Sequence, residues 1–333
     1  MRGFAIALGL AAIALAAPAQ AQEMWQHARS GISLPRTIGE MRLGQERDLG
    51  AGYDVILQYG WADTLVTFYV YRSAYPNAAI WFERTRLAMN TNIGSGGTPA
   101  APRTFTLGGA AAPNGLREEI SLSGNRATAV AIAQLGEWMV KARITSGSLD
   151  RAGVAARMDQ LLGAVRFTGA AAAPLPLTVP TVCTDDVRMR GDRIGNVGES
   201  ETAAALMLAV RGHAEARGHG GLAGEPQSWC RVAGTGVPTE YGTVYRRRDG
   251  SGWVVLLGDS GRAAAALTVD VPGRVRAGVL ASAPASTQAV AVYDGMPNPD
   301  QAVPTALPVV VGRARGIVEI GGESDAEAPQ PKN

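Results

Sequence analysis

Lysine, histidine and cysteine are scarce in this chain of 333 residues. Only two of the 31 basic residues, Lys141 and Lys332, are lysines, and with 29 acidic residues the net charge is +2. A chain so balanced provides no electrostatic field for a polyanion, which excludes nucleic acid as a partner. Three histidines leave little material for metal sites or general bases.

The three histidines also form no metal-ligand pattern. His213 and His219 are six residues apart at the end of a predicted helix, and His27 has no partner in the sequence. We expect His213 to interact with the carbonyls of the helix C-terminus and His27 to lie on the surface. Gly234 and Gly236 lack the third glycine and the helix of a dinucleotide-binding loop. Neither a metal nor a cofactor is therefore expected.

The first 21 residues have the pattern of a secretory signal peptide. Arg2 precedes an uninterrupted apolar run from Phe4 to Ala17, and a small-x-small sequence ends at Ala21. This run is shorter than the roughly 20 residues that cross a bilayer as a helix. Cleavage before Gln22 is thus favoured over an uncleaved membrane anchor, and no later run is apolar enough to span. We expect a soluble protein of the periplasm, or a secreted one.

The two cysteines, Cys183 and Cys230, suit an oxidising compartment and predict one disulfide. In the chain-entropy model this bond would stabilise the fold by about 4 kcal/mol. Two free buried thiols remain the alternative, because the sequence does not show that the two Cα atoms lie within bridging distance.

A change of composition divides the mature chain into two modules, residues 23–168 and residues 182–321. Between them, residues 169–181 contain three prolines and no charge, which is typical of an extended linker. Residues 322–333 are polar and predict a disordered tail. In each module, strand-like runs alternate with amphipathic helices, which predicts an α+β fold of antiparallel sheets with flanking helices.

Three segments predict helices. The first begins after the cap Asn77, and the second covers Ser148–Val165 with Ser148 as its N-cap. The third begins at Ser200, and its apolar face is predicted to consist of Ala203, Leu206, Met207 and Val210. We expect the first two helices on opposite faces of their sheet, which would make the first module complete without the second. Residues 309–320 are interpreted as a strand.

The order of elements in the first module resembles that of PsbP/Mog1-like exported domains. The resemblance covers residues 28–168 and rests on the opening segment SGISLPRTIG and on ARMDQLLGAVRF in the closing helix. It implies a non-catalytic binding or assembly module and assigns no site residue. The whole chain also resembles exported proteins common in high-GC Gram-negative bacteria.

The tetrapeptide Gly258-Asp259-Ser260-Gly261 matches the surroundings of the nucleophile in trypsin-like proteases. Between two predicted strands, the same residue types are those that a tight turn requires. No histidine occurs in the setting of a trypsin-like triad, and no helix follows as in a lipase-type elbow. A hairpin turn is therefore expected and no catalytic residue is assigned. A serine hydrolase that uses Ser260 remains the alternative.

Adjacent charges give no further site. The pairs Glu118-Glu119 and Asp185-Asp186 do not converge on one substrate, because neighbouring residues of a strand point to opposite faces. The basic run at residues 246–248 is expected at a solvated strand end.

Aromatic residues concentrate between residues 59 and 82, which hold eight of the 18 in the mature chain. Both faces of the predicted strand Thr64–Arg72 are apolar, which favours a central strand covered on both sides. The alternative is a cleft in which Tyr69, Tyr71 and Trp81 contact a ligand. We therefore expect a non-catalytic protein that binds an envelope protein or a small ligand. A purely structural envelope protein is a further alternative.

Overall fold

The computed structural model describes residues 23–93, 96–124, 126–169, 176–184, 189–195, 197–217, 228–238, 242–258, 261–271 and 273–321. The predicted signal peptide and tail lie outside these ranges. The strands of the first module are β1 Met24–Gln26, β2 Ile32–Pro35, β3 Thr37–Ile38, β4 Met41–Asp48, β5 Asp54–Trp61, β6 Thr64–Arg72, β7 Gly97–Pro99, β8 Arg103–Phe105, β9 Gly115–Leu122, β10 Arg126–Leu135, β11 Trp138–Ser146 and β12 Arg166–Phe167. Its helices are α1 Ala78–Ile93 and α2 Arg151–Ala164.

The first module is built on a nine-stranded sheet in the order β3-β4-β5-β6-β11-β10-β9-β7, with β8 beside β9. All its strand pairs are antiparallel. A small sheet, β1-β2-β12, joins the two ends of the module. β6 therefore lies in the interior of the large sheet, as its two apolar faces predict.

The second module repeats this design with an eight-stranded sheet. Its strands are β13 Asp192–Arg193, β14 Trp229–Arg231, β15 Gly242–Arg247, β16 Gly252–Leu257, β17 Arg262–Val271, β18 Arg274–Ser282, β19 Ser286–Asp294 and β20 Val318–Gly321. Its helices are α3 Glu199–Ala216 and α4 Pro299–Val310. The order is β13-β19-β18-β17-β16-β15-β14 with β20 beside β19, and all pairs are antiparallel. The predicted α+β class is confirmed.

Helix caps explain two of the boundaries. Asn77 caps α1 as predicted, because its Oδ1 accepts a hydrogen bond from the backbone N–H of Ala79 at 2.9 Å. For α2 the predicted cap is wrong. Asp150 accepts from the N–H of Gly153 at 2.8 Å, while the hydroxyl of Ser148 donates to Asp63 instead.

The strand predicted over residues 309–320 is only partly correct. Its last residues form β20, but residues 309–310 are the end of α4, which has two prolines in its interior and was therefore not recognised as a helix. Asn298 caps α4 and Pro299 occupies its first turn, where a missing N–H costs nothing. The helix then buries an apolar stripe: Ala302, Val303, Ala306, Val309 and Val310.

The helices and sheets form five layers, and three hydrophobic cores lie between them. The first core joins α2 to one face of the first sheet, where Val66, Phe68 and Val70 lie. The second joins the opposite face to α1, α3 and the second sheet, and the third joins the second sheet to α4. The layers are thus α2, first sheet, α1 with α3, second sheet and α4. The predicted placement of α1 and α2 on opposite faces is confirmed.

The first module is nevertheless not complete in its packing, because the second module covers the outer side of α1. Residues 78–85 of α1 are all buried, as expected for a helix with neighbours on both sides. Backbone hydrogen bonds link the loop before α1 to the second module. The N–H of Ala74 donates to Gly261 O at 2.7 Å, and the N–H of Tyr75 donates to Ala216 O at 2.8 Å.

The buried face of α3 differs from the predicted one. The helix packs Ala204, Ala205, Leu208 and Ala209 onto the sheet, and it exposes Leu206, Met207 and Val210. Two glycines, one in the sheet and one in the helix, allow α3 and the sheet to approach each other closely. A Cβ on Gly278 would lie 2.2 Å from the Leu208 side chain, and one on Gly212 would lie 2.2 Å from the Leu280 side chain. Glycine at these two positions therefore leaves room for a buried leucine of the other element.

The predicted disulfide between Cys183 and Cys230 is confirmed, with a Cα–Cα distance of 5.0 Å. It fastens β14 to the end of the predicted linker, where Val182 forms a parallel bridge with Arg231. The N–H of Arg231 also donates to Thr181 O at 2.8 Å. The last residues of the linker thus extend the edge of the second sheet, and they are not a free spacer.

Candidate functional site

The three aromatic residues predicted to contact a ligand occupy two different environments. Tyr71 and Trp81 are buried in the core between the modules, and their rings meet edge to face at 6.0 Å. Tyr69 lies on the same face of β6 as Tyr71 but is only partly buried. It lines a recess that Tyr71 and Trp81 do not reach.

This recess, which we call the cationic recess, lies between α1 and the strands β6 and β11. Tyr69, Lys141 and Arg143 form its floor, and Thr85, Ala88, Met89 and Asn92 of α1 form its wall. The register pairs Lys141 with Tyr69 across the two strands. As a result the Lys141 ammonium lies 4.0 Å from the centroid of the Tyr69 ring, a cation–π contact.

Lys141 is only 3 % exposed, an unusual position for an ammonium group. Among the described residues that line the recess, two are cationic and none is a carboxylate. On the same face of the sheet, Glu118 pairs with α1, since its Oε2 lies 3.2 Å from Nε of Arg86. Burial raises the pKa of the Glu118 carboxyl, and the Arg86 guanidinium opposes that rise. The floor of the recess carries two cationic side chains, Lys141 and Arg143.

Size limits what the recess can bind. Its volume of about 40 Å³ is far below that of pockets for cofactors or drug-sized ligands, about 300 Å³ or more. It matches a water molecule or one carboxylate group of a larger partner. The sequence signal for this site was Lys141 itself, one of two lysines in the chain, within an apolar strand.

A second buried acid, Glu83, has a structural role between the modules. Its Oε1 accepts from Nε of Arg231 at 2.8 Å, and its Oε2 accepts from the Tyr245 hydroxyl at 2.8 Å. Burial raises the pKa of Glu83, and the hydrogen bond from Tyr245 and the charge of Arg231 oppose this. Both carboxylate oxygens are engaged, so Glu83 links α1 to β14 and β15.

Two surface assignments from the sequence are wrong. His27 is buried, with Nδ1 2.8 Å from the Ser30 hydroxyl and its ring edge-on to Trp138 at 4.7 Å. Burial lowers its pKa below 6.5. Arg246 is buried as well and donates to the carbonyls of Arg247 and Arg248, so the basic run is not simply a solvated strand end.

The acidic pair on β9 follows the prediction, because its side chains point to opposite faces. Glu118 meets Arg86 of α1, whereas Glu119 meets Arg103 and Arg117 on the other side. Asp185, Asp186 and His219 lie outside the described residues.

The protease-like tetrapeptide connects β16 to β17 as an antiparallel hairpin, with Leu257 opposite Arg262. Ser260 itself lies outside the described residues. Gly261 has φ +73°, and a Cβ there would lie 2.8 Å from Arg72 O. A glycine is therefore required where this hairpin meets the first module. The strand-to-helix elbow of a lipase-type nucleophile does not occur here.

Within the described ranges, no group of three or more histidine, cysteine, aspartate or glutamate residues is placed to hold a metal ion. No helix among these residues is long and apolar enough to cross a membrane.

No protein-family model and no curated protein matches the chain. Among solved structures, the chain is similar to the solution structure of a cyanobacterial PsbP, CyanoP from Synechocystis sp. PCC 6803. The two share 10 % sequence identity with a TM-score of 0.31, and the match covers 50 % of this chain and 98 % of that chain.

Proposed function

We propose that the protein is an exported, non-catalytic binding or assembly module of the cell envelope, in the periplasm or secreted. We further propose that the cationic recess receives an acidic group of its partner or small ligand. The recess is the observation that carries this proposal, because it places Lys141 and Arg143 beside an aromatic ring at an accessible edge of α1.

Export is supported by two features. The first 21 residues have the signal-peptide pattern, and the bond between Cys183 and Cys230 suits an oxidising compartment. The non-catalytic role is supported by the contacts of the polar groups outside the recess. Glu83 and Glu119 are engaged in pairs with arginines, and His27 packs between two tryptophans.

Charge and shape together favour a carboxylate as the bound group. A charge-assisted hydrogen bond from an ammonium or guanidinium to a carboxylate is about twice as strong as a neutral one. Partial shielding from water by α1 strengthens the attraction further. Tyr69 supplies the aromatic part of the floor, and Tyr71 and Trp81 support the same region of β6 from the core.

Calorimetric titration with acetate, with succinate and with a short glutamate-rich peptide tests the recess. Lys141→Met keeps the length and apolar stem of the side chain but removes its charge, so we expect affinity for the acidic probes to fall at least about tenfold. Arg126→Met, at an exposed hairpin end, is the matched control and should bind as the unchanged protein does. Equal affinities for both variants would refute the site.

Export is tested separately. The chain is expressed from Met1, the cells are fractionated, and the N-terminus of the protein is determined by mass spectrometry. We expect the protein in the periplasm or medium, beginning at Gln22. A cytoplasmic protein that retains residues 1–21 would contradict this part of the proposal.

A further inference from the structure

The outer side of α3 carries a row of apolar side chains that no other described residue covers. Ala203, Leu206, Met207 and Val210 follow one another at helical spacing, and the last three are 47 %, 39 % and 52 % exposed. Exposed apolar side chains normally occur singly, and a continuous patch marks an interaction surface. We propose that this row, the α3 stripe, binds the α3 stripe of a second copy of the chain.

The shape of the stripe changes along the helix. Near the N-terminus of α3 there is an open hollow, because Ala203 is small. The hollow is lined by Val197, Gly198, Glu199, Thr202, Ala203 and Leu206. One turn further on, the longer side chains of Met207 and Val210 stand exposed. Each copy thus offers a hollow and a ridge, displaced from each other along the helix.

A two-fold axis through the centre of the stripe matches these features. In an antiparallel pair related by that axis, Ala203 faces Val210 of the other copy, and Leu206 faces Met207. The ridge of each helix then fills the hollow of the other. Such an isologous interface needs only one patch that is complementary to itself.

The charged residues near the two ends of the α3 stripe also favour the antiparallel orientation. Glu199 lies one turn before Ala203. Arg211 directly follows Val210; its side chain is 45 % exposed, pairs with Glu215 of the same helix at 3.3 Å and donates to Thr268 O at 2.7 Å. The antiparallel pair therefore brings Glu199 of one copy toward Arg211 of the other at both ends. A parallel pair would bring like charges together, which is unfavourable. Charge and shape thus both favour a second copy in the antiparallel orientation.

The size of α3 predicts a weak dimer. A helix of its length extends over about 27 Å. A single helix pair of that length buries less than the roughly 1,600 Å² of a standard interface. We therefore expect a dissociation constant in the micromolar range.

Sedimentation velocity of the purified full chain tests the dimer. We expect monomer at about 1 µM and dimer at about 100 µM. Met207→Glu places like charges on both sides of the axis and should weaken association at least about tenfold. Leu49→Glu is the control, because Leu49 is a large apolar residue that is also exposed, 52 %, but lies in the first module. Melting curves of both variants check that they remain folded.

Three results would overturn the proposal. The chain could remain monomeric at the higher concentration, which would assign the stripe to a different protein. The dimer could survive Met207→Glu, which would place the interface elsewhere. The control Leu49→Glu could weaken the dimer as strongly, which would make the effect one of charge alone.

Disulfide trapping tests the orientation. Two Ala203 positions in the antiparallel pair are seven residues apart along the axis, about 10 Å, beyond the roughly 7 Å reach between bridged Cα atoms. A mixture of Ala203→Cys and Val210→Cys chains should therefore form a mixed disulfide dimer, while each chain alone should not. Disulfide dimers from the separate chains would overturn the antiparallel arrangement.

Discussion

The two helices of the middle layer, α1 and α3, differ in how many of their large apolar side chains they bury. α1 buries Trp81 and Phe82 between the first sheet and the second module. α3 buries Leu208 among alanines and exposes Leu206 and Met207. The difference lies in the surfaces on which the helices pack, because α3 and its sheet approach each other at Gly212 and Gly278, which leave room for Leu280 and Leu208. The buried face of a helix is thus decided partly by the residues of its neighbours.

The largest effect should come from truncating a large side chain on each helix. Trp81→Ala should lower the free energy of unfolding by about 4 kcal/mol, because it leaves a cavity in the middle core. Met207→Ala should change it by less than about 0.5 kcal/mol, since its side chain is at the surface. Urea unfolding at low protein concentration measures both values. Similar losses for the two variants would remove the contrast between α1 and α3.

Substitutions of two helical glycines, one in α3 and one in α2, test how closely α3 packs on its sheet. Gly212→Ala should destabilise the protein by about 2 kcal/mol, because the new methyl group meets the buried side chain of Leu280. Gly163→Ala in α2 is the control, since nothing lies within 4 Å of its Cβ position. That variant should gain about 0.5 to 1 kcal/mol from helix propensity. The melting temperatures of the two variants should therefore shift in opposite directions. A higher melting temperature for both would show that the contact between α3 and its sheet accommodates an added methyl group.

The polar contact of α1 with the second module predicts a smaller loss. Tyr245→Phe removes the hydroxyl that donates to Glu83, and we expect a loss of about 1.5 kcal/mol in urea unfolding. Tyr75→Phe is the control, because among the described residues its hydroxyl has no hydrogen-bond partner. If the two variants lost equal stability, the hydrogen bond to Glu83 would contribute nothing specific.

The smallest expected effect is a dependence on pH at the same contact. Burial raises the pKa of Glu83 above 4.5, so the folded state holds this proton more tightly than the unfolded state. The stability gained in this way is complete below pH 4.5 and is lost as the pH rises through the folded pKa. Glu83→Gln does not titrate. Its stability relative to the unchanged protein should therefore increase between about pH 4 and about pH 7, whereas parallel stability curves would contradict the pKa shift.

Local patterns in the sequence predicted much of the fold. The α+β class, the hairpin that joins β16 to β17 and the disulfide follow from alternation, turn residues and cysteine count. Asn77 was recognisable as a cap because a cap acts within one turn of its own helix. The central position of β6 followed from its two apolar faces.

The remaining features depend on contacts between distant residues. The buried face of α3 depends on Gly278, which leaves room for Leu208 and lies 70 positions after it in the chain. The burial of His27 depends on Trp138, and the recess at Lys141 depends on where α1 crosses the sheet. No local pattern carries this information. The sequence analysis therefore selected Tyr69 but missed the cationic residues beside it, because Lys141 within an apolar strand was a signal only of itself and not of the recess around it.

The contact between Glu83 and Tyr245 also sets an order of events during synthesis, because the two residues are 162 positions apart. A ribosome adds about 5 to 20 residues per second, so roughly 8 to 30 s pass between the two residues. During that time the outer side of α1 has no cover, and Trp81 and Phe82 are close to the surface of an incomplete fold. The nascent first module is thus expected to be a substrate for chaperones until the second module emerges.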